Sequence, residues 1–159
     1  MMERTLVLIK PDGVQRGLVG RIVSRFEDVG LKLLGMKMVW VDKDFSKKHY
    51  KELLKKPFYP WLETMITEGP VVAMVIEGLH AVELVRKLVG PTEPRSAAPG
   101  TIRGDFSHHS YAYTDLKEKS IKNLVHASGN LKEAEVEVGL WFSDKELHIY
   151  QTVHEKHVF

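Results

Sequence analysis

The residues from 123 to 130 contain the side chain with the clearest chemical potential in this sequence, His126. An imidazole has an ordinary pKa near 6.5, so much of it is neutral at physiological pH and can attack a phosphoryl group without a separate strong base. Small residues follow at Ala127, Ser128 and Gly129, and they leave room for a substrate to approach. We therefore interpret His126 as a candidate nucleophile at the end of a short strand, although a single histidine in that setting is more often structural than catalytic.

A helix is predicted directly after this histidine. Asn130, followed three positions later by Glu133, has the form of an N-cap with a capping box. The apolar residues that follow at helical spacing share one face, namely Leu131, Ala134, Val138 and Trp141. Glu137 lies on the flank of that stripe, and a carboxylate against one ring nitrogen of a histidine fixes its tautomer. Glu137 is therefore the candidate residue that orients His126.

Phosphate recognition must depend on side chains, because the sequence has neither a P-loop motif nor a dinucleotide-binding glycine motif. Lys10 follows an apolar segment at a Pro-Asp-Gly turn, where a solvated surface lysine is the simpler interpretation. Arg86 flanks the buried face of a predicted helix, and Arg103 lies in a long irregular segment. Guanidinium groups bind phosphate through paired, charge-assisted hydrogen bonds, so these two arginines are candidates to hold phosphate oxygens.

The elements that must position these side chains follow from hydrophobic periodicity and turn residues. Strands are predicted at residues 5–9, 31–41, 71–76 and just before His126, and helices at residues 19–29, 44–67, 80–89 and after Asn130. The stretch 44–67 is broken near Pro57 and predicts a hairpin of two short helices. Residues 90–119 predict a long irregular loop, which we expect to be functional. The order predicts an α+β fold: a ferredoxin-like βαββαβ antiparallel sheet with helices on one face, an added helical hairpin and a long loop before the last strand.

Two further clusters allow alternative interpretations. The predicted hairpin concentrates apolar and aromatic side chains, namely Tyr50, Phe58, Tyr59, Trp61 and Leu62. Such a cluster is usually core or interface, but an exposed member can stack on a nucleic base. The C-terminal part contains three histidines, at 148, 154 and 157. Without cysteine or a clear frame of carboxylates, we favour a solvated tail over a metal site there, and no protein-held metal is predicted.

Composition limits the protein classes that remain. The 159 residues are 43% hydrophobic and 28% charged, as in ordinary globular proteins, and we expect one domain spanning residues 1–159. A net charge of +2 without a long basic run argues against nucleic-acid binding. The absence of cysteine excludes disulfides and thiolate chemistry. No signal sequence or stretch long enough to cross a bilayer is evident, so we expect a cytoplasmic protein without membrane contact.

Several ordered motifs resemble the nucleoside diphosphate kinase family over nearly the whole chain. The matching segments are ERTLVLIKPDGV at 3–14, HY at 49–50, GPVV at 69–72, PGTIRGDF at 99–106 and NLVHAS at 123–128. Long matches in the same order are far more specific than one short motif. The resemblance implies a kinase that passes the terminal phosphate of a nucleoside triphosphate to a nucleoside diphosphate in a ping-pong cycle, through a phosphohistidine at His126.

The resemblance also implies a role for each candidate residue. It assigns Glu137 to the hydrogen bond with the histidine, Tyr50 to the surroundings of the histidine, and Lys10 to the ribose hydroxyl and phosphate region. The remaining nucleotide-binding residues are Arg86, Thr92 and Arg103 at the phosphates, Phe58 stacked on the base with Leu62 beside it, and Asn123 at the ribose. Stacking tolerates different bases, which implies broad nucleotide use.

The implied cofactor is Mg²⁺, bound with the nucleotide phosphates and not in a dedicated protein cage. The resemblance further implies a homo-oligomer, a hexamer or a tetramer. Two departures from the family pattern stand out. Gly129 replaces the usual aspartate, so its bonding must come from elsewhere, for example from Asn130. The connection at residues 107–122, which we call the inserted segment, is longer than the compact family form, and we expect it to cover the nucleotide cleft or a subunit contact.

Two other classes of protein remain as alternatives. A ferredoxin-like nucleotide-binding or regulatory module would keep the pocket and bind nucleotide without phosphoryl exchange. A nucleic-acid-binding protein with basic and aromatic surface would show strongly salt-dependent binding.

Overall fold

The computed structural model of this chain describes residues 1–158. Its strands are β1 (Met2–Ile9), β2 (Lys32–Trp40), β3 (Pro70–Leu79) and β4 (Val125–Ala127). Its α-helices are α1 (Pro11–Gln15), α2 (Val19–Glu27), α3 (Lys43–His49), α4 (Tyr59–Thr67), α5 (Ala81–Val89), α6 (Ile102–Phe106), α7 (Tyr111–Leu116), α8 (Leu131–Trp141) and α9 (Glu155–Val158). Short 3₁₀ turns occur at Lys51–Leu53, Pro94–Ser96 and Asp144–Glu146.

The strands form one antiparallel sheet in the order β2-β3-β1-β4. β1 is central: Leu8 pairs with Ala73 of β3 on one side and with His126 of β4 on the other. The predicted α+β fold is thereby confirmed, including the helical hairpin formed by α3 and α4. β4 is a short edge strand of three residues, so the candidate nucleophile lies at a border of the sheet.

Helices cover both faces of this sheet, and the prediction of helices on one face is wrong. Residues 6–9 and 71–76 are all buried, whereas a sheet with one wet face would show alternating exposure. One face packs against side chains of α2 and α5, such as Phe26 and Val85. The other packs against α4 and α8, through Ile66 and Trp141. The unbroken apolar runs in the sequence were the sign of this two-sided burial.

Two predicted irregular regions contain short helices instead. The turn after β1 is the helix α1, which begins at Pro11 because proline at the first helical position loses no hydrogen bond. The loop at 90–119 contains α6 and α7 as well as a 3₁₀ turn. Thr101 and Ser110 cap these two helices by accepting hydrogen bonds from the backbone N–H groups of Gly104 and Tyr113.

The C-terminal part contacts the sheet edge at β2. Lys32 Nζ donates to the carbonyl of Tyr150 at 3.0 Å and to Glu155 Oε1 at 2.9 Å, and the Tyr150 hydroxyl donates to the carbonyl of Leu33 at 2.8 Å. The three tail histidines are exposed, as predicted, but the backbone that carries them is held against the protein. Among residues 1–158, no helix is both long enough and apolar enough to cross a membrane.

Candidate active site

His126 is fixed at the edge of the sheet by backbone pairing on both sides of it. Lys10 N donates to the carbonyl of Leu124 at 2.8 Å, and Ser128 N donates to the carbonyl of Leu6 at 3.2 Å. These bonds attach β4 to β1 immediately before and after the histidine. Its backbone is therefore set by the buried C-terminal part of β1.

Glu137 holds one nitrogen of His126. His126 Nε2 lies 3.0 and 3.1 Å from the two carboxylate oxygens, and Ser128 Oγ donates to Oε2 at 2.6 Å. Burial opposes ionisation of Glu137, but the bonds from His126 and Ser128 outweigh it, and the pKa of this carboxyl falls below its ordinary value. An ionised carboxylate only accepts hydrogen bonds, so Nε2 of His126 carries the proton. The lone pair is then on Nδ1, the nitrogen left for a substrate.

A second histidine, His49, packs against the first. The two ring centroids are 4.8 Å apart, and the ring planes are 83° apart. Trp141 Nε1 donates to His49 Nδ1 at 3.1 Å. Burial, and next the charge of His126, lowers the pKa of His49 to about 3, so this ring is neutral. The sequence analysis quoted His49 only as part of a motif, because its contacts to His126 and Trp141 are distant along the chain.

The part of the chain from Met1 to Val158 contains one group of side chains with three possible metal-ligating atoms close together. These atoms belong to His49, His126 and Glu137 and lie within 4.8 Å of one another. His126 and Glu137 already bond each other, and the bond from Trp141 occupies Nδ1 of His49 and leaves a proton on its Nε2. Hydrogen bonds therefore occupy His126 Nε2 and His49 Nδ1, and the lone pair that remains on His126 is the one on Nδ1.

A cavity of about 630 Å³ opens in front of His126. The predicted nucleotide-binding residues all line it, together with Tyr50: Lys10, Phe58, Leu62, Arg86, Thr92, Arg103 and Asn123. Glu137 does not line the cavity, and it reaches the site through its contact with His126 Nε2. The fold thus brings together residues from the end of β1, the helical hairpin, α5, the loop and β4.

Lys10 is buried, with 5% of its surface exposed, so the interpretation as a solvated surface lysine is wrong. Its ammonium donates to Asn123 Oδ1, and Asn123 Nδ2 donates to the carbonyl of Thr92 at 2.8 Å. Burial lowers the pKa of Lys10 to about 8, Asp12 acts against this, and Arg103 adds to it. A desolvated ammonium at a cavity wall attracts anions more strongly than one in water.

Arg103 holds the loop around the site. Its guanidinium donates to three backbone carbonyls, those of Gly90 at 2.9 Å, Asn123 at 3.2 Å and Val125 at 2.6 Å. Burial, and next the charge of Arg86, lowers its pKa to about 10. The guanidinium has about five N–H donors in all. Those not used on the backbone are left for an anion in the cavity, beside the exposed Arg86.

The inserted segment and the helical hairpin both line the cavity. Phe58, with 44% of its surface exposed, and Leu62 come from the hairpin. Residues of α7 and the stretch after it also line the cavity, namely Tyr111, Thr114, Asp115, Lys119, Ser120 and Ile121. The sequence analysis assigned no residue of this segment to the site, because a segment without a recognised motif gives no local signal of where it folds back.

Leu124 has an unusual backbone conformation, with φ at 72°. A bulky residue in the left-handed region is strained and persists only where its surroundings hold it. Here Asp12 Oδ2 accepts from Leu124 N at 3.0 Å, and Lys10 N donates to the Leu124 carbonyl. Asp12 is a further residue of the site that the sequence analysis missed.

At the start of α8, other residues supply the hydrogen bonds that were expected to be missing at Gly129. Asn130 caps the helix by accepting from Glu133 N at 3.0 Å, as predicted. The Glu133 carboxylate accepts from Gly129 N at 3.0 Å and from Asn130 Nδ2 at 2.7 Å. The bonding that we expected from Asn130 is thus shared with Glu133. Leu131 was assigned to the apolar face of this helix, and that was wrong: it is the first residue of α8 and is 54% exposed.

Comparisons with known proteins agree on one family. The family model of nucleoside diphosphate kinase matches residues 3–147. A nucleoside diphosphate kinase of Pyrococcus furiosus is 51% identical, covering 94% of this chain and 88% of that protein. One of Archaeoglobus fulgidus is 48% identical, covering 99% and 98%.

Solved structures give the same result. A transition-state mimic of the Borrelia burgdorferi nucleoside diphosphate kinase with bound vanadate and ADP superimposes with a TM-score of 0.95 at 45% identity, covering 98% of this chain and 96% of that chain. A Halobacterium salinarum nucleoside diphosphate kinase in complex with CDP gives 0.89 at 43% identity, covering 100% and 99%.

Proposed function

This chain belongs to the nucleoside diphosphate kinase family, and on that premise we propose that it transfers the terminal phosphate of a nucleoside triphosphate to a nucleoside diphosphate through a phosphohistidine at His126. The observation that carries this proposal is the pair of contacts from His126 Nε2 to Glu137, which leaves Nδ1 with its lone pair on a residue that lines the cavity. The solved relatives that bind vanadate with ADP, and CDP, support it.

The proposed cycle has two half-reactions that mirror each other. In the first, the Nδ1 lone pair attacks the γ-phosphorus, an N–P bond forms, and the bond from phosphorus to the β–γ bridging oxygen breaks. The diphosphate leaves with that electron pair. In the second, a terminal oxygen of another diphosphate attacks phosphorus, and the N–P electrons return to Nδ1. The proton on Nε2 stays in place, and the Glu137 carboxylate stabilises the positive ring of the intermediate.

The residues around the cavity supply charge and orientation in this proposal. Lys10, Arg86 and Arg103 offset the negative charge of the phosphates, and Thr92 donates to them. Asn123 and Lys10 bind the ribose hydroxyls, a role supported by their direct contact. Burial, and next the charge of Glu137, raises the pKa of Tyr50, so it remains a neutral phenol in the surroundings of the histidine.

Phe58 and Leu62 support broad base use. Phe58 is exposed at the cavity, and a stacked ring makes few demands on the edge of a base. Base and sugar preference would then depend on weaker contacts elsewhere on the cavity wall.

Mg²⁺ fits this site as a companion of the nucleotide. Among the described residues, the carboxylates that line the cavity are Asp115 and Glu133, while Lys10, Arg86 and Arg103 line it as cationic donors. A metal ion would therefore be held mainly by phosphate oxygens, where it neutralises charge during transfer.

We further propose that residues 1–159 act as one domain, in the cytoplasm, and assemble as a homo-oligomer, either a hexamer or a tetramer. Assembly is supported by the edge strand β2, which exposes three large apolar side chains: Met36 at 46%, Met38 at 62% and Trp40 at 67%. An exposed edge strand of this kind is usually covered in the native assembly.

A half-reaction experiment tests the proposed function. The pure protein is mixed with a triphosphate labelled at the γ position, nucleotide is removed, and an acid-labile phosphoenzyme is measured before unlabelled diphosphate is added. Label on the wild type that leaves as new triphosphate, and no label on His126→Gln, are expected. A wild type that binds nucleotide but never takes label would instead identify a nucleotide-binding module without turnover.

A further inference from the structure

The proposed cycle uses His126 and Glu137 but gives no part to the buried histidine beside them. From its contacts we infer that His49 is a positioning residue: its ring holds the imidazole of His126 in the plane that presents Nδ1 to the phosphoryl donor. This inference rests on the proposed phosphohistidine function and adds to it a residue that touches neither nucleotide nor the reacting phosphorus.

One helix holds both histidines. Glu137 and Trp141 are four residues apart on α8, so their side chains project from the same side of the helix one turn apart. Glu137 contacts His126 Nε2, and Trp141 Nε1 donates to His49 Nδ1. The relative position of the two rings is therefore set by a single rigid element.

His49 is itself firmly held, which a positioning residue requires. It is the last residue of α3, and its Nδ1 is fixed by the bond from Trp141. Trp141 in turn packs edge-to-face on Phe45, with ring centroids 4.7 Å apart. Tyr50 packs against the His49 ring as well, at 4.5 Å. An unbroken series of ring contacts thus leads from α3 through Trp141 and His49 to His126.

The Glu137 contact alone leaves one freedom of the His126 ring undetermined. Two carboxylate oxygens at nearly equal distances fix the position of Nε2. The plane of the ring can still rotate about the axis that joins Nε2 to the Cβ atom of His126. The His49 ring packs against the His126 ring with centroids 4.8 Å apart and planes at 83°, and this contact restricts that rotation. Because displacement of a reacting atom by about 1 Å can slow an enzyme by about 10²-fold, such a restriction matters for the attack by Nδ1.

The charge state of His49 suits this role. The titratable groups that face it are His126, Glu137 and Tyr50, from β4, α8 and the end of α3. Since Nδ1 accepts from Trp141, the proton is on Nε2, a buried atom without a hydrogen-bond partner in residues 1–158. His49 therefore presents a neutral ring to His126 and adds no positive charge that would oppose the phosphorylated imidazole.

Two variants of similar size separate the ring contact from the hydrogen bond. His49→Phe keeps a flat ring against His126 but cannot accept from Trp141, whereas His49→Gln keeps an acceptor and loses the ring. Both are studied as full-length protein, and thermal unfolding identifies a temperature at which each is folded. The measurements are the single-turnover rate of phosphoenzyme formation, the Kd for ADP, and the fraction of phosphate on Nδ1 and on Nε2 of His126 by phosphorus NMR.

Ring positioning predicts that His49→Gln is phosphorylated about tenfold more slowly, the factor that corresponds to one edge-to-face contact at its upper range. Its Kd for ADP should stay within about twofold, because His49 does not line the cavity, and its phosphate should stay on Nδ1, because Glu137 still holds Nε2. His49→Phe should keep the wild-type isomer and a rate within about threefold of wild type.

A merely structural histidine would give a different pattern. A wild-type rate in His49→Gln, or equal losses of rate in both variants, would overturn the inference while leaving the proposed function intact. Absence of label on the wild type would overturn the proposed function itself, and the two failures are therefore distinguishable.

Discussion

Introducing the aspartate that the family commonly has, by Gly129→Asp, is expected to lower stability in this chain. A β-carbon at Gly129 would clash with Glu133 Oε2, because the Glu133 carboxylate already occupies that space. Glu133 must then move, and it loses its bonds to Gly129 N at 3.0 Å and to Asn130 Nδ2 at 2.7 Å. The N-cap bond from Glu133 N to Asn130 can remain.

The net cost follows from these contacts. Two exposed hydrogen bonds contribute about 0.5 kcal/mol each at the low end of the usual range. Repulsion between the new aspartate and Glu133 adds a few tenths of a kcal/mol, whereas a negative charge at the helix N-terminus returns about 0.3–0.5 kcal/mol. The sum is a loss of about 1 kcal/mol, or about 2–4 °C in Tm for a chain of this size.

A double-mutant cycle with Glu133→Ala tests this account. Removing Glu133 first removes both the clash and the repulsion, so Gly129→Asp in that background should be neutral or stabilising, with a coupling energy of about 1 kcal/mol. Thermal unfolding at one protein concentration gives the Tm values, and the labelled half-reaction should stay within about twofold of wild type. A stabilising Gly129→Asp in the wild-type background, or an equal cost with and without Glu133, would refute the reasoning.

Three further outcomes are expected. The pKa of Lys10 is lowered to about 8 from 10.5, so the free protein loses this positive charge as pH rises through 8. The affinity for ADP, measured by calorimetry, should therefore fall between pH 7.5 and pH 9.5 in the wild type and should not fall in Lys10→Met. Ser128→Ala removes the donor to Glu137 and leaves the backbone N–H of Leu6 without its acceptor. The free energy of unfolding, measured in urea, should fall by about 1–3 kcal/mol in this variant and by less in Ser128→Thr. Phe58→Ala should raise KM by roughly 5- to 100-fold, alike for purine and pyrimidine diphosphates, and Phe58→Tyr should stay near wild type; a loss confined to one base would contradict stacking.

The sequence was informative where a structural cause was local. The cap at Asn130 and the position of Glu137 on α8 follow from spacing within one helix, so both were predictable. The contacts of Ser128, His49 and Asp12 depend on residues far away along the chain, and nothing in their immediate neighbours indicated them. The inserted segment was expected to cover the nucleotide cleft or a subunit contact, but the sequence did not indicate which of its residues line the cavity.

Other predictions were wrong because a feature present in the sequence was given too little weight. The unbroken apolar runs 6–9 and 71–76 indicated a sheet buried on two faces, yet the expected fold class suggested one. Thr101 and Ser110 stood where helix caps are common, within a stretch that its prolines made look irregular. Lys10 was judged from its own segment, whereas its burial depends on Asn123 and Arg103.

The backbone of Leu124 makes this position locally frustrated in the sense of energy-landscape theory. Its φ of 72° favours glycine, while its side chain, 1% exposed, belongs to the core. No single residue type satisfies both requirements, so selection for stability alone cannot optimise position 124. Substitutions that relax its backbone would also loosen the segment that carries His126 and Asn123. A search for thermostable variants should therefore find gains on the surface and few beside the nucleophile.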